Sequence, residues 1–156
     1  MTNKHLITPL IPELCCSNIK ISLAFYTDVL GFEIQYQREE EGFAMLQRQG
    51  SHIMLDEISQ KRKGMKRVWL SGLLEKPFGR GINFQIKTSN VDALYSNIQQ
   101  SGANVFLPLE EKWYRVNDID VGNRQFIVLD PDGYMLRFVE DLGSRESLGC
   151  QRMITQ

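Results

Sequence analysis

The sequence is poor in the features that announce a partner or a compartment. Its 18 basic and 19 acidic side chains leave a formal net charge of −1, so it lacks the one-signed field of a nucleic-acid or anionic-membrane binder. The one strong basic run, Lys61-Arg62-Lys63 followed by Lys66-Arg67, has no matching stripe after it and reads as a solvated loop. No apolar stretch approaches the roughly 20 residues that span a bilayer, and the residues after Met1 lead into no signal-peptide core. Only three cysteines occur, Cys15, Cys16 and Cys150. An odd number with two adjacent makes a poor disulfide framework and fits a reducing cytoplasm, the thiols being read as buried and inert. These scarcities point away from nucleic-acid and membrane partners and toward a cytoplasmic protein.

What is present is an ordinary globular composition, 42% hydrophobic and 24% charged over 156 residues, enough for one domain covering 1–156. The chain is written twice. Residues 17–32 read SNIKISLAFYTDVLGF and residues 89–104 read SNVDALYSNIQQSGAN. Each opens on Ser-Asn, a good helix N-cap, and ends near a glycine suited to a left-handed C-terminal position, Gly31 or Gly102. Leu23, Phe25, Tyr26 and Leu30 form an apolar stripe in the first, and Val91, Leu94, Tyr95 and Ile98 in the second. A predicted strand precedes each helix, at Leu6–Leu14 and Gly81–Lys87. Three follow the first helix, at Phe32–Gln37, Phe43–Gln47 and Ser51–Glu57, and three follow the second, at Asn104–Leu107, Arg124–Leu129 and Tyr134–Glu140. The fold class is therefore α+β, with two tandem βαβββ modules at 6–57 and 81–141, a connector at 58–80 and a tail at 142–156. The tail reads either as a frayed end or as a short helix over a partner subunit.

The strands alternate. Ile82, Phe84 and Ile86 share one face against Asn83, Gln85 and Lys87; Ile53 and Leu55 oppose His52, Met54 and Asp56. After the turn Asp130-Pro131-Asp132-Gly133, Tyr134, Leu136 and Phe138 oppose Met135, Arg137 and Val139. The branched apolar faces are expected against the helices, and the mixed faces toward a concavity shared by the two sheets. Arg137 thus stands in the middle of a half-buried face.

With "FYTDVLGF" in the first module and "DPDGYMLRF" near the end, the paired βαβββ pattern resembles the vicinal oxygen chelate superfamily over about Leu6 to Leu142. That group includes glyoxalase I, extradiol dioxygenases, fosfomycin-resistance enzymes and bleomycin resistance proteins. The resemblance implies curved mixed sheets forming a cup. In its metal enzymes, His, Glu or Gln ligands sit at positions that match Ile11, Met54, Asn83 and Arg137 here. None of these is a normal ligand for a divalent cation, and arginine is a permanent one itself. The two histidines, His5 and His52, lie on no matched position. The expectation is no metal and no cofactor.

"PELCCSNIKISLAFYTDVLGFEI" and the "GRGINFQI" to "RQFIVLDPDGYMLRF" spacing are most similar to the bleomycin resistance proteins. That likeness implies a homodimer whose clefts sequester a small molecule without chemistry. The ligand stays open between a bleomycin-type antibiotic and another metabolite, because −1 is less acidic than those proteins tend to be. Candidate binding residues are Met54, Asp56, Trp69, Phe78, Asn83, Gln85, Trp113, Tyr114 and Arg137, with no catalytic residue. Aromatic rings offer rigid stacking area, and Glu110, Glu111, Asp118 and Asp120 complement a cation. Packing in the core or a dimer interface is the plain alternative for each ring. Arg137 either pairs internally with Asp56 or Glu13 or forks onto a ligand carboxylate or phosphate. Pro9 and Pro12 make the first strand an edge strand or one exchanged between subunits. The alternative function is a lyase, isomerase or dioxygenase, with Glu13, Asp56 and Gln85 holding Mg²⁺ or Mn²⁺ or acting as a general base.

Overall fold

Asn18 and Asn90 open the two helices as the repeat requires. Their side-chain oxygens accept from the N–H of Ile21 at 3.1 Å and of Ala93 at 3.0 Å, each satisfying a donor left orphaned in the first turn. A second acceptor reaches each helix start from a strand: Glu57 takes the Ile19 N–H at 2.8 Å and Glu140 takes the Val91 N–H at 2.9 Å. The negative carboxylates also oppose the positive ends of the helices. Gly31 and Gly102 follow the helices with φ near 71°, the left-handed geometry that glycine adopts without penalty. The computed structural model describes residues 8–58 and 70–147.

The chain divides into two compact units, residues 1–81 with 130–134, and residues 82–129 with 135–156. Unit one holds β1 (Glu13–Cys16), α1 (Ile19–Ala24) continued by a π-turn over Phe25–Val29, β2 (Glu33–Arg38), β3 (Phe43–Arg48) and β4 (Ser51–Glu57). Its sheet runs in the order β1-β4-β3-β2, with β1 parallel to β4 and the other pairs antiparallel. Leu14, Cys16, Ile53, Leu55, Ala44 and Leu46 are buried, as are Tyr26, Leu30 and Phe32. Unit two holds β5 (Asn83–Lys87), α2 (Val91–Ser101), β6 (Val105–Val116), β7 (Ile119–Leu129) and β8 (Met135–Glu146). Its order is β5-β8-β7-β6, again with one parallel pair, β5 with β8. Ile86, Leu94, Ile98, Phe126, Val128, Leu136 and Phe138 make its core, with the Phe126 and Phe138 rings stacked at 5.4 Å. Two open four-stranded mixed sheets with few helices are the α+β architecture expected from the repeat.

Several boundaries differ from the sequence reading. The first strand starts at Glu13 rather than Leu6 among the described residues, because Pro12 brings no N–H to the ladder. It contributes only its carbonyl, which accepts from Met54 at 2.9 Å. Ile11 therefore lies outside any strand. The sixth and seventh strands are far longer than expected, at 12 and 11 residues, and the last continues through Glu146 into the stretch read as tail. His5, Leu6, Ile7, the Lys61–Arg67 run, Trp69, Cys150 and the tail from 148 lie outside the described residues.

The turn at 130–134 belongs to unit one and is held from several sides. The Asp130 carboxylate accepts from the backbone N–H of Asp132 and Tyr134, both at 2.9 Å, and from the Tyr26 hydroxyl at 3.1 Å. Asp132 accepts from Ser17 N–H at 2.9 Å and from Ser17 Oγ, and pairs with Lys76 Nζ at 3.1 Å. Gly133 adopts φ 97°, and a Cβ there would come within 2.4 Å of the Pro77 side chain.

Candidate ligand-binding face

In each unit the helix contacts settle which face of the sheet is covered. Glu140 and Arg124 reach α2, so in the unbroken register from Arg124 to Glu140 the even-numbered side chains of β7 and β8 face the helix. Gln125, Ile127, Leu129, Met135, Arg137 and Val139 face away from it, joined by Asn83, Gln85 and Lys87 of β5. By the same argument Glu57 places Ile53 and Leu55 toward α1, and Met54 and Asp56 on the opposite face, beside Glu13 and Cys15.

The duplication extends to this face. Gln85 stands beside Arg137 in β5–β8 as Glu13 stands beside Met54 in β1–β4. Arg137 is half-buried, directly across from Ile127, with Met135 and Val139 on either side along its strand. Its Nη2 donates to Gln85 Oε1 at 2.5 Å, and its enclosed Nε has no partner. Among the described residues of unit two no carboxylate lies within ion-pair distance of it, and its partner there is a neutral amide on the adjacent strand.

Gln125, 2% exposed, was not singled out from the sequence. Its Nε2 donates to Glu110 Oε1 at 2.9 Å and to the Tyr114 hydroxyl at 2.8 Å, leaving its Oε1 enclosed and unpartnered. The carboxylate fixes the orientation of the amide, since only the nitrogen can donate to it. The alternation Gln125, Ile127, Leu129 could have exposed Gln125, because it shares the parity that faces away from α2. Its partner Glu110 was hidden by two register shifts in the β6–β7 pairing.

Trp113 and Tyr114, expected together in a loop, lie inside β6, and as strand neighbours they point to opposite faces. The Trp113 indole lies over Gly122, where a Cβ would meet it at 2.8 Å, and the Arg145 guanidinium sits 3.9 Å above its ring centre. Phe78 is 6% exposed in unit one, edge-on to Tyr134 at 6.1 Å. Asn83, Gln85, Arg137 and Tyr114 do share a face of unit two. Met54 and Asp56 share one in unit one, with Met54 across from Met45 and Asp56 across from Phe43. His52 is buried on that face, against Thr8 and Gln35.

Hydrocarbon, thioether, amide and guanidinium at Ile11, Met54, Asn83 and Arg137 do not fit a divalent cation, which needs several anionic or imidazole donors. Among the described residues no group of three or more His, Cys, Asp or Glu side chains converges on a point. Burial pushes the Cys16 thiol up to about 12, so at neutral pH it is no nucleophile.

The family model described as Glyoxalase/Bleomycin resistance protein/Dioxygenase superfamily matches residues 5–138. The chain belongs to that superfamily. A bleomycin resistance protein of Geobacillus stearothermophilus is 29% identical over 143 residues, covering 86% of this chain and 97% of the relative. A protein of the same name from Staphylococcus aureus matches with the same identity and coverage. Among solved structures, TioX from Micromonospora sp. ML1 superposes with a TM-score of 0.63 at 20% identity, over 85% of this chain and 98% of that one. Lactoylglutathione lyase from Agrobacterium tumefaciens does so with a TM-score of 0.56 at 14% identity, over 86% and 94%. Both likenesses establish the glyoxalase/bleomycin resistance fold, which hosts binding proteins and enzymes alike. Among the described residues no helix is long and apolar enough to cross a membrane.

Proposed function

We propose that this protein binds a bleomycin-type antibiotic in the clefts of a cytoplasmic homodimer and protects by sequestration, without chemistry and without a metal. The observation that carries the reading is Arg137, a cation on the strand position where the metal enzymes of the superfamily place a carboxylate. It is supported by the similarity to bleomycin resistance proteins along most of the chain. Met54 and Asp56 of unit one, and Asn83, Gln85, Tyr114 and Arg137 of unit two, are the residues proposed to touch the ligand. Tyr114, 37% exposed, offers a ring for stacking, and Glu110 beside it a carboxylate for a ligand cation. Trp69 and Trp113 complete the proposed aromatic set. Trp113 would receive a flat ring only after Arg145 leaves its face. Phe78 is proposed to support the site through packing rather than contact.

Sequestration and turnover differ in stoichiometry. In a plasmid-nicking assay with bleomycin, protection should rise linearly with protein and be complete near one chain per drug molecule. Protection by substoichiometric protein would indicate catalysis, and none at fivefold excess would contradict binding.

A further inference from the structure

We infer that the helix-distal face of unit two holds the carboxylate of a small organic acid on the outer edge of Arg137, with Gln85 as the positioning residue. This rests on the proposal that the protein is a small-molecule binder and names a ligand class beyond the bleomycin type, whose carbonyls are amides rather than carboxylates. A guanidinium removed from water loses solvation that only an anion or several acceptors restore. Arg137 has one acceptor, Gln85 Oε1 at 2.5 Å, and no ion pair among the described residues of unit two. A second cation on this face, Lys87 of β5, is engaged with Asp141 at 3.8 Å. The enclosed Nε has no partner, whereas the Nη2 bond to Gln85 is exposed. The end of the fork therefore remains approachable, and its plane is set by Gln85. An end-on pair of N–H donors fits the two coplanar oxygens of a carboxylate.

The surroundings select among anions. Ile127, Met135 and Val139 neighbour Arg137 on its own face, so a ligand must surrender water as it docks. A monoanionic carboxylate loses less solvation than a dianionic phosphate, and the apolar neighbours favour a carboxylate carried beside a hydrophobic or aromatic group. An uncharged amide offers one carbonyl oxygen and no charge.

The test uses hippurate, a small aromatic carboxylate, and its amide hippuramide, added to ¹⁵N-labelled protein in a carboxylate-free buffer. The Arg137 Nε–H signal is identified by its loss in Arg137→Lys. Hippurate should move that signal and the Gln85 side-chain amide saturably, with Kd about 1 mM or tighter. Hippuramide should bind at least about tenfold more weakly, the usual scale for losing a charge-assisted pair. Gln85→Glu supplies an internal carboxylate to the fork; it should keep the folded spectrum and lose hippurate binding, which a purely structural role for Gln85 does not predict. Arg137→Gln should lose it as well. Equal response to acid and amide, hippurate binding that survives Gln85→Glu, or no saturable shift at all would overturn the inference. Bleomycin titrated into the same samples separates the two proposals. Bleomycin binding without discrimination of hippurate removes only this inference, and discrimination without bleomycin binding removes only the drug assignment.

Discussion

Asp130 is 5% exposed, and its carboxylate is ringed by two backbone donors and the Tyr26 hydroxyl. Burial raises its pKa, and the hydrogen bonds offset that only in part. The folded protein thus holds this proton more tightly than the unfolded chain. The resulting contribution to stability is fully present below the unfolded value of about 3.9 and is lost as pH rises through the raised folded value. Asp130→Asn keeps an oxygen for the backbone donors but does not titrate. Urea melts from about pH 3 to 7 should show the variant gaining on the parent through that window, then levelling. A difference independent of pH would contradict this. Tyr26, its partner, is pushed far above the usual phenol range by burial and remains the donor. Cys16, with its raised pKa, should resist alkylation in the native protein and react once it is unfolded.

The carboxylates that end β4 and lie in β8 act on whole elements. Glu140→Ala leaves the Val91 N–H without its acceptor and should cost about 0.5–2 kcal/mol, the range of a lost helix cap, whereas Glu140→Gln should lose less. The distal part of the β6–β7 hairpin depends on another contact. Gly122→Val puts carbon where the Trp113 indole lies. It should displace the ring from under Arg145 and destabilise by about 1–3 kcal/mol. In a Trp69→Phe background the Trp113 fluorescence should shift to the red, and an unshifted spectrum would argue against the stacking. Helix caps, terminal glycines and strand alternation were all legible as local patterns. The length of β6 and β7 was not, because the run Glu110-Glu111-Lys112-Trp113-Tyr114-Arg115 pairs into a largely exposed hairpin. Exposed pairing leaves little burial pattern to read, and the register shifts before Glu110 disturb the period of two. Splitting Trp113 from Tyr114 follows directly once the segment is a strand.

At the scale of the whole molecule, the repeat carries the most information. Two Ser-Asn starts define both helices and set Glu13 and Gln85 at equal distances before them; the β1–β4 and β5–β8 registers then pair these with Met54 and Arg137, which makes those two positions equivalent. That Arg137 rests on Gln85, and that Gln125 is tied to Glu110 and Tyr114, depends on pairings between strands distant in sequence, which no local pattern encodes. The proposed homodimer should appear in light scattering as a mass of two chains that persists on dilution to about micromolar concentration. A single-chain mass there would remove the dimer clefts from the account. Metal-free sequestration is tested by calorimetric titration of metal-stripped protein with copper-free bleomycin, beside elemental analysis of the untreated protein. The expected result is about one drug per chain with Kd about 1 µM or tighter, unchanged by added chelator. No heat with the drug, together with stoichiometric divalent metal in the untreated protein, would contradict it and make Glu13 and Asp56 the residues to mutate.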